Sequence, residues 1–216
     1  QFASSAASDV YKRQEILFRT KLSENLFEGL SPWMQKLPGG LIHVNVVGCA
    51  IFAAISGSSA ATVATVGKMS IPELRKRNYP EKILLGSLAG SGTLGLLIPP
   101  SIILIIYGVT VQESIAKLFI AGIFPGIMIA IIFMTYVVIW SLMNKNKMPV
   151  LTEEIPFIEK IKKSGKLIPV ILLIVSVIGS IYSGIATATE AASLGVVGAL
   201  ILSLIHISEP TRREGI

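Results

Sequence analysis

Apolar residues in this chain occur in long blocks that are separated by short polar segments. Two of these blocks, Leu118–Met143 and Leu167–Tyr182, contain no charged residue. A helix of about 20 apolar residues is long enough to cross the hydrocarbon core of a bilayer. The pattern therefore predicts a membrane-spanning helix in each block.

A third apolar block, Ile83–Tyr107, is long enough to span but is interrupted in its middle. Its "GSGTLGLLIPPS" stretch cannot form one unbroken helix, because it contains Gly90, Gly92, Gly95, Pro99 and Pro100. Lipid offers no hydrogen-bond partners to backbone freed by such breaks, so irregular backbone at this depth must be buried in protein or line a polar cavity. The block predicts a discontinuous transmembrane helix.

A fourth block, Leu41–Val66, is interrupted by the serine-rich segment Ser56–Ser59. Each half has about 13 residues and would form a helix of roughly 20 Å, too short for a core about 30 Å thick. A single crossing and a re-entrant hairpin with the serines at its tip both remain open. The flanking Lys36 and Lys68 favour the hairpin, because it places both cations on one side of the membrane.

The segments between the blocks carry most of the positive charge. Leu22–Met34 has an amphipathic helical pattern and is expected to lie at the interface or to pack as an arm. Two spans separate the basic loop Ile71–Lys82 from the basic loop Asn144–Lys166, so both loops are expected on the same, cytoplasmic, side.

Composition agrees with this pattern: 52% of residues are hydrophobic, 15% are charged, and the formal net charge is +6. A soluble domain carries about 25% charged residues. We therefore predict an all-α, polytopic membrane protein with a re-entrant helical hairpin and a discontinuous transmembrane helix. The bilayer accounts for the basic loops, and no nucleic-acid partner is expected.

The two ends of the chain resemble translated sequencing adapter. Codons for Asp9–Gln14 and for Leu202–Ile207 can be chosen as complementary strands of one DNA segment. We therefore predict that residues 4–14 and 202–216 are not native, and that residues 15–201 are an internal fragment of a longer membrane protein.

The two interruptions are the places where an ion-binding site is expected. Helix halves that meet inside a membrane expose unpaired N–H groups at one end and unpaired carbonyls at the other, and interrupted segments are typical of secondary-transporter sites. Hydroxyls suited to Na⁺ coordination beside those carbonyls are supplied by Ser56, Ser58, Ser59 and Thr93, with Ser101 as a further candidate. The alternative for each small residue is close helix packing.

The only acidic candidate is Glu190, in "TATEAA". It is either a functional intramembrane carboxylate or a carboxylate at the start of a helix beside Thr187 and Thr189. The sequence contains no metal-ligand cluster, nucleotide-binding loop or Ser-His-Asp set, so neither an enzyme nor an organic cofactor is predicted.

Four motifs carry a family resemblance across residues 15–201: "LPGGLIHVNVVGCAIFAAISGSSAATVATVG", "GSGTLGLLIPPSIILIIYG", "KLFIAGIFPGIMIA" and "GIATATEAASLGVV". They resemble the large, DctM-like permease subunit of tripartite ATP-independent periplasmic (TRAP) transporters. The resemblance implies an elevator-type carrier built from two inverted repeats, of which this chain holds half. It also implies a Na⁺ gradient as the driving force, with Na⁺ as the coupling ion.

The resemblance further implies a set of partners. A periplasmic solute-binding protein would deliver an organic anion, such as a C4-dicarboxylate or a sialic acid, and a small membrane subunit would complete the complex. The location would be the cytoplasmic (inner) membrane of a bacterium or archaeon.

The resemblance also assigns site residues by position. Ser56–Ser59 match the hairpin tip, and Thr93–Ser101 match the first broken helix. Glu190 matches an acidic position, although Ala188 stands where the family has proline. The expected Na⁺ and substrate residues are Ser56, Gly57, Ser58, Ser59, Gly92, Thr93, Gly95, Pro99, Pro100 and Ser101.

Two other functions are compatible with the residues. One is a divalent-anion/Na⁺ symporter-like carrier that needs no binding protein. The other is a non-transporting membrane scaffold subunit, in which the breaks serve only helix packing.

Overall fold

A computed structural model describes residues 22–149 and 156–187, together with residues 190 and 198. This part of the chain contains helices and no strand. The eight α-helices are α1 (Leu22–Met34), α2 (Ile42–Ser56), α3 (Ser59–Lys76), α4 (Glu81–Gly92), α5 (Ile102–Val111), α6 (Ile115–Met143), α7 (Phe157–Ser164) and α8 (Ile168–Tyr182). The proposed adapter segments 4–14 and 202–216 lie outside the described residues.

Helix α2 forms the centre of the structure. It packs against α1, α3, α4 and α6, and most of its side chains are buried. Asn45 is fully buried, and its Nδ2 donates to the Leu84 carbonyl at 3.2 Å and to Ser87 Oγ at 3.0 Å. Interhelical bonds of this kind hold helices together where there is little water to compete for the polar groups. These bonds therefore join the first turns of α2 to α4.

Helices α2 and α3 form an antiparallel hairpin whose turn is Gly57-Ser58. Helix α2 ends because Gly57 adopts a left-handed conformation (φ 63°), and its N–H bonds the Ala53 carbonyl at 2.9 Å. Gly48 and Val66 lie nine residues before and after Gly57, and a Cβ on Gly48 would lie 3.7 Å from the Val66 side chain. The two arms thus run back along each other, as the sequence predicts; whether the hairpin is re-entrant in a bilayer stays a prediction.

The second arm is longer than the apolar pattern indicates. Helix α3 continues beyond Val66 to Lys76 and buries Ser70 and Leu74 on one face. The apolar block ends at Val66 because the outer face of the helix becomes polar there. A helix that changes from fully apolar to amphipathic cannot be followed to its end by hydropathy alone.

Two continuous helical segments are long and apolar enough to cross a membrane: Ile115–Met143, with 29 residues, and Phe157–Tyr182, with 26 residues. Only 17% and 28% of their most apolar windows are buried inside the chain. Apolar helices at the core of a soluble domain would be mostly buried. Their exposed apolar surface is therefore appropriate for contact with lipid or with other membrane segments.

Helix α7 lies where the sequence predicts a basic loop. Phe157, Ile158 and Ile161 are exposed on one face of it, while its lysines occupy other positions. The segment is a short amphipathic helix that leads into α8 through the 3₁₀ turn Gly165–Leu167. The apolar positions i, i+1 and i+4 were the available signal, but the three lysines of this helix obscured it.

Candidate functional site at the crossing of the hairpin and the broken helix

The discontinuous helix is interrupted where the sequence predicts. Helix α4 ends at Gly92, the chain tightens into a 3₁₀ turn over Thr93–Leu96, and α5 begins only at Ile102. Pro99 and Pro100 lie in the gap, where neither can donate a backbone hydrogen bond. The buried Ser101 joins the start of α5 to the end of the 3₁₀ turn, because its Oγ donates a hydrogen bond to the Leu96 carbonyl at 2.7 Å.

The hairpin tip contacts this break directly. The Ile102 N–H, at the start of α5, donates to the Gly57 carbonyl at 3.2 Å. A Cβ on Gly57 would lie only 2.2 Å from the Pro100 carbonyl oxygen. The two interruptions, far apart in sequence, therefore form one junction of backbone against backbone.

Two glycines of the broken helix make this approach possible. A Cβ on Gly95 would lie 2.8 Å from the Ser59 nitrogen, and one on Gly92 would lie 1.9 Å from Val63 Cγ2. The close-packing alternative therefore describes Gly92 and Gly95, while their assignment to a Na⁺ or substrate site stays a prediction. At this junction the packing and site interpretations coincide, because the packing brings the hydroxyl-rich tip against the freed backbone.

The hairpin tip contains a compact set of oxygens. Ser56 Oγ lies 2.8 Å from Thr62 Oγ1, and that threonine hydroxyl lies 2.8 Å from the Ser58 carbonyl. Ser56 and Thr62 are both buried. Thr62 is not among the residues predicted from the sequence, although its place one helical turn after Ser58 was the available signal.

One oxygen of the tip is buried without a partner. Ser59 Oγ is inaccessible to solvent and makes no hydrogen bond within the part of the chain that the structure describes. An unpaired buried hydroxyl is costly, and each such group requires an explanation. Ser59 begins α3 beside Gly95 of the broken helix, so the unpaired oxygen belongs to the junction.

Thr93 is placed differently from the serines. Its side chain is exposed, and its Oγ1 donates to the Gly90 carbonyl at 2.7 Å. The neighbouring Gly92 and Gly95 face the hairpin, whereas Thr93 lies on an open surface of the same turn. The junction thus has a buried side with the tip oxygens and an open side with Thr93.

Glu190 is engaged in a local pair with Thr187. Its Oε2 accepts from the Thr187 N–H at 2.8 Å and from Thr187 Oγ1 at 2.9 Å, while the Glu190 N–H donates to Thr187 Oγ1 at 3.3 Å. These bonds lower the pKa of the exposed Glu190 carboxyl. The reciprocal pattern is that of a capping box and favours the helix-start interpretation.

The architecture defines a class: an all-helical membrane protein in which a helical hairpin packs its tip against a broken helix. The family model for the tripartite ATP-independent periplasmic transporter, DctM component, matches residues 14–215. The chain belongs to this family of transporter permeases, as the motifs of the sequence indicate, and such a permease is not an enzyme.

Curated relatives agree with this assignment. The chain is 40% identical over 166 residues to the C4-dicarboxylate TRAP transporter large permease protein DctM of Pseudomonas aeruginosa, covering 77% of this chain and 38% of that protein. It is 37% identical over 184 residues to the isethionate TRAP transporter permease protein DctMQ of Oleidesulfovibrio alaskensis, covering 84% and 28%. It is 34% identical over 192 residues to the ectoine/5-hydroxyectoine permease UehC of Ruegeria pomeroyi, covering 88% and 44%.

The chain therefore spans less than half the length of these relatives. Their names cover chemically different substrates, namely dicarboxylates, a sulfonate and ectoines. Likeness to the family thus identifies the type of protein but not a single substrate.

Proposed function

We propose that this chain forms part of the membrane subunit of a Na⁺-coupled secondary transporter for organic acids. The junction of the hairpin tip with the broken helix would contribute one Na⁺ site and one wall of the substrate cavity. The observation that carries this proposal is the buried, unpartnered Ser59 Oγ beside freed backbone. Hydroxyls and carbonyls of unwound helix ends are the ligands that Na⁺ uses in such carriers.

The residues of the junction fit this ion. Ser59 Oγ, the hydroxyl pair of Ser56 and Thr62, and the carbonyl of Ser58 supply neutral oxygens on the buried side. A Na⁺ ion bound there would satisfy the unpaired hydroxyl and supply positive charge near an anionic substrate. The exposed Thr93 would then lie on the substrate side of the same turn.

The proposed complex includes three protein components. A periplasmic solute-binding protein delivers the organic anion, a small membrane subunit accompanies the permease, and the large subunit lies in the cytoplasmic membrane as a multi-pass protein. C4-dicarboxylates or sialic-acid-like anions are the proposed substrates. Family membership favours this function over a carrier without a binding protein and over a scaffold subunit.

The proposal is tested with the full-length permease that contains this segment, reconstituted in proteoliposomes with its small subunit and binding protein. We expect uptake of at least one radiolabelled organic anion, tested as succinate and sialic acid, under an inward Na⁺ gradient. Replacing Na⁺ by K⁺ should abolish that uptake, because the coupling ion is then missing. Undiminished uptake in K⁺ would contradict Na⁺ coupling.

The re-entrant character of the hairpin has its own test. Single cysteines placed at Lys36 and at Lys68, in a Cys49→Ser background of the full-length permease, should both react with a membrane-impermeant maleimide from the cytoplasmic side. Gln35 and Lys68 line one cavity, so the two ends of the hairpin lie close together. Labelling from opposite sides would instead show that the segment crosses the membrane once.

A further inference from the structure

We propose that the open cavity between α1, α3 and α7 binds the phosphodiester headgroup of an anionic phospholipid. The cavity has a volume of about 620 Å³ and is lined by residues of all three helices. It lies at the end of the hairpin remote from the Gly57 tip, so lipid binding there would be independent of Na⁺ coupling. Lipid binding requires only that the chain is a membrane permease.

Charge is the first argument. The cavity wall contains four cationic side chains and two carboxylates: Lys68, Lys76, Arg77, Lys163, Glu28 and Glu73. Both carboxylates already have cationic partners, since Glu73 pairs with Arg77 at 2.8 Å and Glu28 pairs with Lys166. Lys163 pairs with Glu159 at 3.0 Å, so cations still outnumber carboxylates when these outside partners are included. Lys76 forms no ion pair with any residue in the described ranges. The wall therefore has positive charge in excess and suits an anion.

Position in the membrane is the second argument. Trp33 of α1 contacts Phe157 of α7 edge to face, with ring centroids 6.2 Å apart, and its Nε1 donates to Ser164 Oγ at 2.7 Å. Tryptophan is enriched at the level of the lipid headgroups. Helix α7 is the first part of the continuous helical segment Phe157–Tyr182, and its lysines favour the headgroup level over the hydrocarbon core for that end of the segment. The cavity between α1 and α7 is thus at headgroup depth.

The mixed character of the wall is the third argument. Beside the cations, the cavity is lined by apolar groups: Phe27, Pro32, Met69 and Pro72. A small inorganic anion would leave this apolar surface in contact with water. A phospholipid would cover it with its glycerol and the first methylenes of its acyl chains while its phosphate contacts the lysines. The wall therefore favours a lipid over a free anion.

The two basic loops meet at this cavity. Lys76 and Arg77 belong to the first loop predicted from the sequence, and Lys163 belongs to the second. The two segments therefore lie at the same end of the structure, and their cytoplasmic location stays a prediction. A headgroup bound here would connect α3 of the hairpin with α7, at the start of the apolar helical segment Phe157–Tyr182.

The test uses the full-length permease in detergent and native mass spectrometry with added phosphatidylglycerol or phosphatidylcholine. We expect a one-to-one complex that forms with phosphatidylglycerol at clearly lower lipid concentration than with phosphatidylcholine. One lysine near an anionic lipid surface contributes about fivefold in affinity, so Lys76→Gln with Lys163→Gln should weaken phosphatidylglycerol binding about 25-fold. Glutamine keeps the side chain polar, and size-exclusion chromatography checks that the variant is folded.

Lys82→Gln is the matched control, because Lys82 is an exposed cation at the start of α4, in the segment predicted as the same basic loop, and does not line the cavity. It should leave phosphatidylglycerol binding within about twofold of the unchanged protein. Equal binding of the two lipids by the unchanged protein would overturn the proposal without any variant. So would an equal loss in Lys82→Gln, or displacement of the lipid by millimolar inorganic phosphate.

Discussion

Replacing Gly57 by alanine is expected to reduce transport by the full-length permease about tenfold or more. Gly57 has a φ of 63°, a conformation that costs an alanine about 1–2 kcal/mol. The added Cβ would also lie 2.2 Å from the Pro100 carbonyl oxygen, which is backbone and cannot rotate away. The hairpin tip must therefore move away from the broken helix. A free-energy cost of about 1.4 kcal/mol would lower the fraction of molecules with an assembled junction tenfold.

The measurement is initial uptake in proteoliposomes at matched protein content. Gly86→Ala is the control, because Gly86 lies within α4 and a Cβ there would meet no heavy atom within 4 Å. Alanine is also the better helix former by up to about 1 kcal/mol, so this variant should transport normally. Equal uptake by the two variants would show that contact between the tip and the break is not needed for function.

Ser59→Ala is expected to raise the Na⁺ concentration for half-maximal uptake by about tenfold to a hundredfold. This range takes the lost oxygen–ion contact as comparable to a hydrogen bond to a charged group, about 1.5–3 kcal/mol. The same change removes a buried hydroxyl that has no partner in the described part of the chain. The free energy of unfolding measured without Na⁺ should therefore be unchanged or slightly higher. A higher Na⁺ concentration for half-maximal uptake, with no loss of stability, would identify Ser59 as an ion ligand.

Ser70→Ala provides the matched control for this experiment. Ser70 is a serine of the same helix, fully buried, and its Oγ is likewise unpartnered among the described residues. It lies farther along α3, away from the tip, and its replacement should leave the Na⁺ dependence unchanged. An unchanged half-saturation in Ser59→Ala, or an equal shift in both variants, would exclude Ser59 from the Na⁺ site.

The two interruptions on which both experiments depend could be predicted from the sequence, whereas the ends of some helices could not. The break at Ser56–Ser59 and the break at Pro99-Pro100 are local, because glycine and proline act on their own backbone. The bounds of α1 follow from its amphipathic period in the same way. Helix α7 was missed because lysines mask a short amphipathic period, and the end of α3 was missed because hydropathy stops before the helix does.

The sequence by itself determined the membrane class, the apolar helices, the two interruptions and the family. These follow from composition, from the period of apolar residues and from motifs along the chain. Only the tertiary structure decided that the interruptions touch, with the Ile102 N–H on the Gly57 carbonyl, and that Thr62 belongs to the tip. It also decided that Ser59, and not its neighbours, has the unpaired buried oxygen. The physical reason is that such contacts join residues on different helices, and their geometry depends on how closely the helices pack rather than on any local preference of the chain.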